Sequence, residues 1–339
     1  MSDTVHALSR FLLGVGVVLT GGSVAAAQTT APPPGADSSI WTIQQENASI
    51  STARLTDRFY TNGLRLGWTS GVGLVQGFLE QAGRRLWGEG DQRLSIDIGQ
   101  QIYTPADTGS RVPARGDRPY AGVLMANASL SQDTAGSRTV MSLGLGVLGP
   151  SALGETVQSG FHDLIGQARN NGWRTQLRDE PVVQLAAGRT WRVPVAQVHG
   201  LDLDVLPDLL VSAGTLRVYA QTGITLRAGE GLDGDFGAPR LRPGLSGGDA
   251  YTATLPFAWY VFAGLDGQAV AHDTLLDGNN WRPSSSVSRN GFIAEAQAGV
   301  AVMAYGARLT YTHVLQTQQF RDQHGGLHQF GSLALSVRF

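Results

Sequence analysis

Three polar side chains of this sequence are of the types that hydrolytic chemistry uses. His162 lies in the segment His162-Asp163-Leu164-Ile165-Gly166, and histidine is the side chain that most often acts as a general base. Asn47 and Thr61 offer an amide and a hydroxyl that could orient a water molecule or bind a carbonyl group. A plainer interpretation stays open for each: a surface histidine on a loop helix, and polar groups at turns or strand ends.

Two arginines are candidates for binding a negatively charged group. Arg118 follows Asp117 and precedes Pro119, where a structural salt bridge entering a strand is the favoured interpretation. Arg118 and Arg111 also carry planar guanidinium groups, whose shape suits a phosphate. Two further patterns carry little weight. The glycines at 144–149 fit a dinucleotide-binding fingerprint, but no βαβ unit surrounds them. The Gly-rich segment 244–248 fits the G-x-S-x-G pattern of a hydrolase nucleophile, but no helix is predicted after it.

The N-terminus predicts export from the cytoplasm. An apolar run from Phe11 to Val18 follows Arg10, and Ala25-Ala26-Ala27 offers a cleavage site. We therefore predict a signal peptide over residues 1–27 and a flexible leader rich in Pro, Thr and Ala over residues 28–38. The apolar run is too short and too rich in glycine for a membrane anchor, which is the alternative interpretation.

The elements that must position these side chains are strands. The last residues alternate, with Leu333, Leu335, Val337 and Phe339 separated by small or polar residues, so they form a strand with one apolar face. The sequence predicts an all-β fold, a twelve-stranded antiparallel transmembrane β-barrel over residues 39–339 with short helices in its connecting loops. The predicted strands are 39–50, 59–71, 92–103, 118–132, 138–149, 181–194, 200–213, 215–228, 256–272, 291–304, 306–320 and 328–339.

Composition agrees with an outer-membrane barrel. The chain has 339 residues, 45 of them glycine, and only 15 % are charged, as expected when one face of each strand meets lipid. It has no cysteine, and its net charge of -2 gives no basic footprint for nucleic acid. Tryptophan and tyrosine near the strand ends predict aromatic girdles at the lipid–water boundary, with core aromatics as the alternative.

The predicted topology collects the polar motifs at one rim. With both termini at the periplasmic end, the connections 104–117 and 150–180 face outward. Long connections at 72–91 and 229–255 would then face the periplasm, against the usual rule. Helical periodicity is predicted at 76–87 and at 155–169, and both segments suit a membrane interface or packing against the barrel.

Taken together, the motifs resemble the lipid A deacylase (LpxR-like) family of twelve-stranded outer-membrane barrels. The resemblance covers about residues 40–339 and is carried by these segments: Glu46-Asn47, TDRFYTNG at 56–63, YTP at 103–105, DRPYAG at 117–122, HDLIG at 162–166, GWxxQLxxEP at 172–181, DFGxPRxRP at 235–243, LDGN at 276–279 and FGSLxLSxRF at 330–339. It implies hydrolysis of the ester that holds the 3′-linked acyloxyacyl chain of lipid A, with calcium ion as cofactor and lipopolysaccharide as the partner in the outer membrane. It implies no protein partner.

Site residues follow from the same resemblance. His162, Asn47 and Thr61 stand at the positions of the family's catalytic residues, with His162 expected to deprotonate a water molecule. The place of a family lysine falls near Ser110, so Arg111 is expected to supply the cation, with Arg118 as the other candidate for a phosphate of the substrate. The predicted catalytic residues are His162, Asn47 and Thr61. The predicted substrate-binding residues are Arg111, Arg118 and Ser110, and the predicted metal ligands are Glu46 and Asp57.

One departure from the family pattern keeps other functions open. The family continues Glu-Asn with an aspartate, where this chain has Ala48, and a methyl group cannot bind calcium. Glu46, Asp57 or Asp163 could supply the carboxylate instead. The alternatives are a catalytically weakened barrel that still binds lipopolysaccharide and a narrow diffusion pore.

Overall fold

The computed structural model describes residues 36–51, 58–242, 249–252 and 254–339. Strands dominate these ranges, from Ile40 to Arg338. In chain order they are β1 Ile40–Asn47, β2 Phe59–Thr69, β3 Asp91–Thr104, β4 Ala121–Asp133, β5 Ser137–Leu148, β6 Glu180–Trp191, β7 Val193–Val198, β8 Leu201–Gly214, β9 Arg217–Glu230, β10 Phe257–Asp273, β11 Phe292–Ala304, β12 Ala307–Gln316 and β13 His328–Arg338.

The strands close into one antiparallel barrel. Apart from β6 and β7, each strand pairs with its neighbour in sequence, and β1 pairs with β13, where Ile40 stands opposite Arg338. β6 pairs with β8, and β7 continues the line of β6 after the one-residue break at Arg192, pairing with the first half of β8. β6 and β7 therefore form one position in the wall, and the predicted twelve-stranded barrel is confirmed.

In the described parts of the connections, four short α-helices are present. They are α1 Ala48–Ser51, α2 Phe78–Trp87, α3 Gly154–Ile165 and α4 Thr274–Asp277. Within the described ranges, no helix has the length and apolar character needed to cross a membrane. The two predicted helical segments, 76–87 and 155–169, coincide with α2 and α3.

Side chains alternate between a polar lumen and an apolar outer wall. On β1, Thr42, Gln44 and Glu46 are buried, whereas the exposed Trp41 and Ile43 point the other way. The same alternation leaves these large apolar residues exposed on the outer wall: Leu64, Leu66, Ile96, Ile98, Leu143, Leu145, Val183, Leu185, Ile224, Leu226, Val261, Leu265, Leu309, Leu333 and Leu335. A continuous apolar exterior around a charged interior is the arrangement that hydrocarbon solvent requires.

The aromatic residues divide between these two faces. Trp41 pairs with Trp68 on the outer wall near the termini, as a girdle requires. Tyr60 and Tyr260 instead point inward, where their hydroxyls donate to Glu46 Oε2 (2.9 Å) and Asp235 Oδ2 (2.8 Å). The girdle prediction was therefore wrong for these two tyrosines: strand parity places Tyr260 in the lumen, and a shift in the β2–β3 register between Tyr60 and Asn62 turns Tyr60 inward.

A plug fills part of the lumen from the end at which the termini lie. It is the β9–β10 connection, described over residues 231–242, 249–252 and 254–256. Its carboxylates pair with wall arginines: Asp249 accepts from Arg65 Nη1 (2.6 Å), and Asp235 accepts from Arg227 and Arg308. The described residues of this connection, whose length is unusual for a periplasmic turn, thus fold inward rather than extend into solvent.

Candidate functional site

A row of amides lies on the outer wall just beyond the apolar band. Asn47 and Gln45 have the same strand parity as the exposed Ile43, so they face outward. Asn47 Nδ2 and Gln45 Nε2 both donate to Asn62 Oδ1 (3.2 and 2.5 Å). Asn47 Oδ1 also accepts from the backbone N–H of Ser49 (2.7 Å), as an N-cap residue does at the start of α1. The outer wall therefore changes from apolar to polar at this level.

Thr61 lies beside this row. The pairing of β2 with β3 shifts between Tyr60 and Asn62, which makes Thr61 the extra residue of a β-bulge. A bulge turns a side chain away from the regular alternation. The Thr61 and Thr104 hydroxyl oxygens are 2.7 Å apart, and both side chains are buried. The bulge thus places a hydroxyl pair at the outward ends of β2 and β3.

Helix α3 packs against the same end of the barrel, over β3 and β4. Gln100, an outward-facing residue of β3, donates to the carbonyl of Ala152 just before the helix (2.6 Å). Gly122 and Gly154 meet backbone to backbone, because a Cβ on either would lie 3.2 Å from the other's Cα. Trp173 closes the contact by donating to Gln158 Oε1 (2.9 Å). Two glycines and a tryptophan therefore fix the helix on the wall.

His162 lies on the face of α3 that is turned to the protein. Gly154, Gln158 and His162 are spaced by four residues and are the buried positions of the helix. Nδ1 of His162 lies 2.7 Å from the carbonyl oxygen of Ala168, which can only accept, so Nδ1 carries the proton. Nε2 is then the basic nitrogen of the neutral ring.

The turn after α3 holds the ring in this orientation. Gly166 has a φ of 70°, which ends the helix, and the N–H of Gln167 returns to the carbonyl of His162 (2.8 Å). Arg169 pairs with Asp163 across the same turn, and its hydrogen bond lowers the pKa of Asp163. Asp163 is therefore exposed and engaged with arginine.

The β3–β4 connection carries the predicted cation. Ser110 Oγ donates to Asp107 Oδ2 (2.6 Å), and Arg111 is exposed. Asn171 donates its backbone N–H to the carbonyl of Thr108 and its side-chain N–H to that of Gly109. Asn171 is close in sequence to Trp173, which contacts α3, so the loop that bears Arg111 is tied to the segment that holds α3.

Arg118 lies elsewhere, at the mouth of the lumen. It is 1 % exposed, its guanidinium lies 4.6 Å from the centre of the inward-facing Tyr103 ring, and Nη1 donates to Gln319 Oε1 (3.0 Å). Burial lowers the pKa of Arg118. The structure thus does not bring Arg118 together with Asn47 and Thr61, and it gives this arginine a structural role between two loops.

The predicted metal ligands are not assembled on the outer wall. Glu46 points into the lumen, where it accepts from Gln44, Tyr60 and the backbone N–H of Leu241. Asp57 lies outside the described residues. Across those described, no group of three or more acidic, histidine or cysteine side chains is placed to hold a metal ion. Calcium takes six to eight oxygen ligands, so these residues do not by themselves fit a calcium site.

Some residues of the sequence motifs contact the predicted site residues or helix α3 in ways that only the structure reveals. Thr104 belongs to YTP and pairs with Thr61, and Trp173 belongs to the Gly-Trp motif and positions α3. Asn62 bridges the two outward amides. Their residue types gave no separate signal, because threonine, asparagine and tryptophan are common at strand ends and in loops.

These features define a class. A closed barrel with an apolar exterior carries amides, hydroxyls and a histidine-bearing helix at the polar edge of its outer wall, and an apolar exterior of this kind is that of an outer-membrane barrel. Residues 12–339 match the model of the family described as outer membrane protein LpxR, so the chain belongs to that family and lies in the outer membrane. No curated protein sequence matches the chain.

Solved structures agree with the fold. LpxR from Salmonella typhimurium superposes with a TM-score of 0.72 at 18 % identity, covering 88 % of this chain and 100 % of that one. The β domain of the Bordetella autotransporter BrkA has a TM-score of 0.43 at 10 % identity, covering 89 % of this chain and 98 % of that one. At 18 % identity the first of these supports the barrel fold alone, and the second is too dissimilar to support any argument.

Proposed function

We propose that this protein is a lipid A 3′-O-deacylase of the outer leaflet. The observation that carries the proposal is the position of Asn47, Thr61 and the His162-bearing helix on the outer wall, directly beyond the exposed apolar residues. A lipid in the surrounding membrane reaches that level with its ester bonds, whereas a soluble substrate would be expected to use the lumen. Family membership supports a lipid A deacylase rather than another esterase.

The proposed chemistry uses groups of this chain. His162 Nε2 removes a proton from water, and the hydroxide oxygen attacks the acyl carbonyl. The bond between the acyl carbon and the sugar oxygen then breaks, and the sugar oxygen takes up the proton held by His162. The acyloxyacyl chain leaves as a carboxylic acid, which releases its proton to solvent. Asn47 and Thr61 orient the water or the carbonyl, and the exposed Arg111 pairs with a phosphate of lipid A. No acyl-enzyme is required.

Mass spectrometry of lipid A incubated with purified protein in detergent tests the proposal. The expected product has lost one acyloxyacyl group, and the released chain is recovered in equal amount. If the lipid A mass stays unchanged with every divalent ion added, the protein is not a deacylase.

Replacement of Thr61 by valine is expected to reduce the deacylation rate by about ten- to a hundredfold, because the hydroxyl beside Thr104 is lost while the side-chain shape is kept. The rate of lipid A mass loss under single-turnover conditions measures the effect. Thr61→Ser retains the hydroxyl and is the matched control. Equal rates for Thr61→Val and wild type would assign the hydroxyl pair a structural role alone.

Calcium dependence is a separate prediction. We expect a chelator to abolish deacylation and added calcium to restore it, with ligands that include Asp57 or another residue beyond the described set. Ala48→Asp restores the family carboxylate next to Asn47 and is expected to lower the calcium concentration needed for half-maximal rate. Full activity in the chelator would remove calcium from the proposal without affecting His162.

A lipopolysaccharide-binding barrel with weakened catalysis is the second candidate. Its motivation is Ala48, a fully buried methyl group where the family pattern has aspartate. The mass-spectrometric assay separates the two functions. A protein that only binds lipopolysaccharide leaves the mass of lipid A unchanged, and Ala48→Asp would then create an activity that the wild type lacks.

A further inference from the structure

Helix α2 leaves an apolar face uncovered at the end of the barrel where the termini lie. Phe78 is 82 % exposed, and Leu79 and Leu86 are about half exposed. Positions 78, 82 and 86 recur every four residues, so Phe78, Ala82 and Leu86 share one side of the helix. Leaving such side chains in water is unfavourable by about 25 cal/mol for each Å² of apolar surface.

The polar side of α2 carries two ion pairs. Arg84 Nη2 donates to Glu80 Oε1 (2.9 Å), and Nη1 donates to Glu89 Oε2 (2.6 Å). Gln81 is exposed on this side, and Arg85 is exposed next to the apolar face. The helix is therefore amphipathic, with a cation at the boundary of its two faces.

Helix α2 packs on the outside of the wall and not across the mouth of the barrel. Gln92 Nε2 donates to the carbonyl of Glu80 (3.2 Å), and Gln132 Nε2 donates to that of Gly88 (3.0 Å). Both glutamines have the strand parity of outward-facing residues, Gln92 with Ile96 and Gln132 with Ala128. A Cβ on Gly83 would lie 2.5 Å from Gln92 Nε2, so glycine permits the close contact.

The lipid-facing band begins where α2 ends. Along the outward side of β3, Gln92 is followed by Leu94, Ile96 and Ile98, and then by Gln100, which binds the segment before α3. Eight residues at about 3.3 Å each, tilted by roughly 40°, span about 20 Å along the membrane normal. The two amphipathic helices thus lie on the same strands at opposite edges of an apolar band close to the height expected for an outer-membrane barrel, about 25 Å.

We propose that α2 is an interfacial anchor that binds the phospholipid of the periplasmic leaflet. Phe78, Leu79 and Leu86 enter the acyl region, and Arg85 meets the lipid phosphates. Continuity with the lipid-facing wall favours a bilayer over a periplasmic protein as the occupant of this face. With α3 at the opposite edge, the anchor fixes the depth at which the barrel lies, and so the height of α3. The proposal needs the barrel and its membrane, and it does not depend on catalysis.

Site-directed fluorescence can test the anchor directly, because the chain contains no cysteine. Single cysteines at Phe78, at Leu86 and at the control position Gln81 are labelled with bimane in the full-length protein. The proteins are reconstituted in vesicles of phosphatidylethanolamine and phosphatidylglycerol with brominated acyl chains. We expect labels at 78 and 86 to lose most of their emission relative to vesicles without bromine, and the label at 81 to change little.

Two results would overturn the proposal. Labels at 78 and 86 that keep their emission would place the apolar face in water or under a protein partner. Equal quenching at 78, 86 and 81 would mean that the probe senses general proximity to the bilayer and not insertion of one face. A label at Ile96, on the lipid-facing wall, must be quenched in every preparation, which verifies that the barrel is inserted.

Discussion

The His162→Asn protein is expected to lose lipid A deacylation by a factor of about 10²–10⁴ while its barrel folds normally. Asparagine keeps an N–H group near the position of Nδ1, which can still donate to the carbonyl of Ala168. It has no nitrogen that can take up a proton at Nε2. The substitution therefore removes the proposed general base and largely spares the turn that ends α3.

The measurement is the single-turnover rate of lipid A mass loss, with barrel folding followed by the mobility shift between heated and unheated samples in a gel. His324 supplies the matched control, because it is an exposed histidine in the β12–β13 connection at the same end of the barrel. His324→Asn is expected to react like wild type. A fully active His162→Asn protein would exclude His162 as the base.

The position of helix α3 on the outer wall is expected to affect deacylation as strongly as His162 does. Gly154→Val would place a side chain 2.9 Å from the Trp173 ring and 3.2 Å from the Gly122 backbone, so α3 would have to move away from the wall. An intact barrel with lost deacylation in this variant would locate the function between α3 and the outer wall. The same loss with a disrupted barrel would not distinguish the two effects, so the gel shift accompanies the assay.

Asp235→Ala is expected to release the plug and to lower barrel stability by about 3–5 kcal/mol, because it leaves the buried Arg308 without its carboxylate and Arg227 with Asp204 alone. Asp235 accepts from Arg227 Nη1 (2.6 Å) and Arg308 Nη1 (3.0 Å), and both guanidiniums are fully buried. Tyr260 donates to the same carboxylate (2.8 Å). One residue thus joins the plug to β9, β10 and β12.

Two measurements check this result. Urea unfolding in lipid vesicles should give a lower midpoint, and planar-bilayer conductance should rise above the low value expected for the plugged wild type. Asp233→Ala is the matched control, because Asp233 is an exposed plug residue whose contact is with Thr254. Unchanged stability and conductance in Asp235→Ala would mean that other contacts hold the plug, and high wild-type conductance would favour the diffusion pore.

The pH dependence of the plug follows from the same carboxylate. Burial raises the pKa of Asp235, but Arg227 and Arg308 more than offset it, and the net pKa lies below the usual value. A carboxyl group whose pKa is lower in the folded state than in the unfolded state stabilises the fold. The full contribution is present at pH values above the unfolded pKa of about 3.9, and it is lost as the pH falls through the folded pKa. The plug should therefore remain docked throughout the neutral range and down to about pH 4.

The sequence by itself determined the barrel. Alternation such as that of Leu333, Leu335 and Val337 predicts which face of a strand meets lipid, and it located twelve strands with boundaries a few residues from those observed. The 3.6-residue periodicity likewise located α2 and α3. These features are local, since each depends on residues within one strand or helix.

Contacts between distant segments were decided only by the tertiary structure. Neighbouring residues of one strand face opposite sides, so Glu46 entered the lumen while Asn47 faced outward, although a single motif contains both. Arg118 bonds to Gln319 at the lumen mouth, and the described part of the β9–β10 connection folds inward because its carboxylates pair with arginines from β2, β9 and β12. Such pairings depend on closure of the barrel, which brings residues far apart in sequence together, and local pattern carries no information about them.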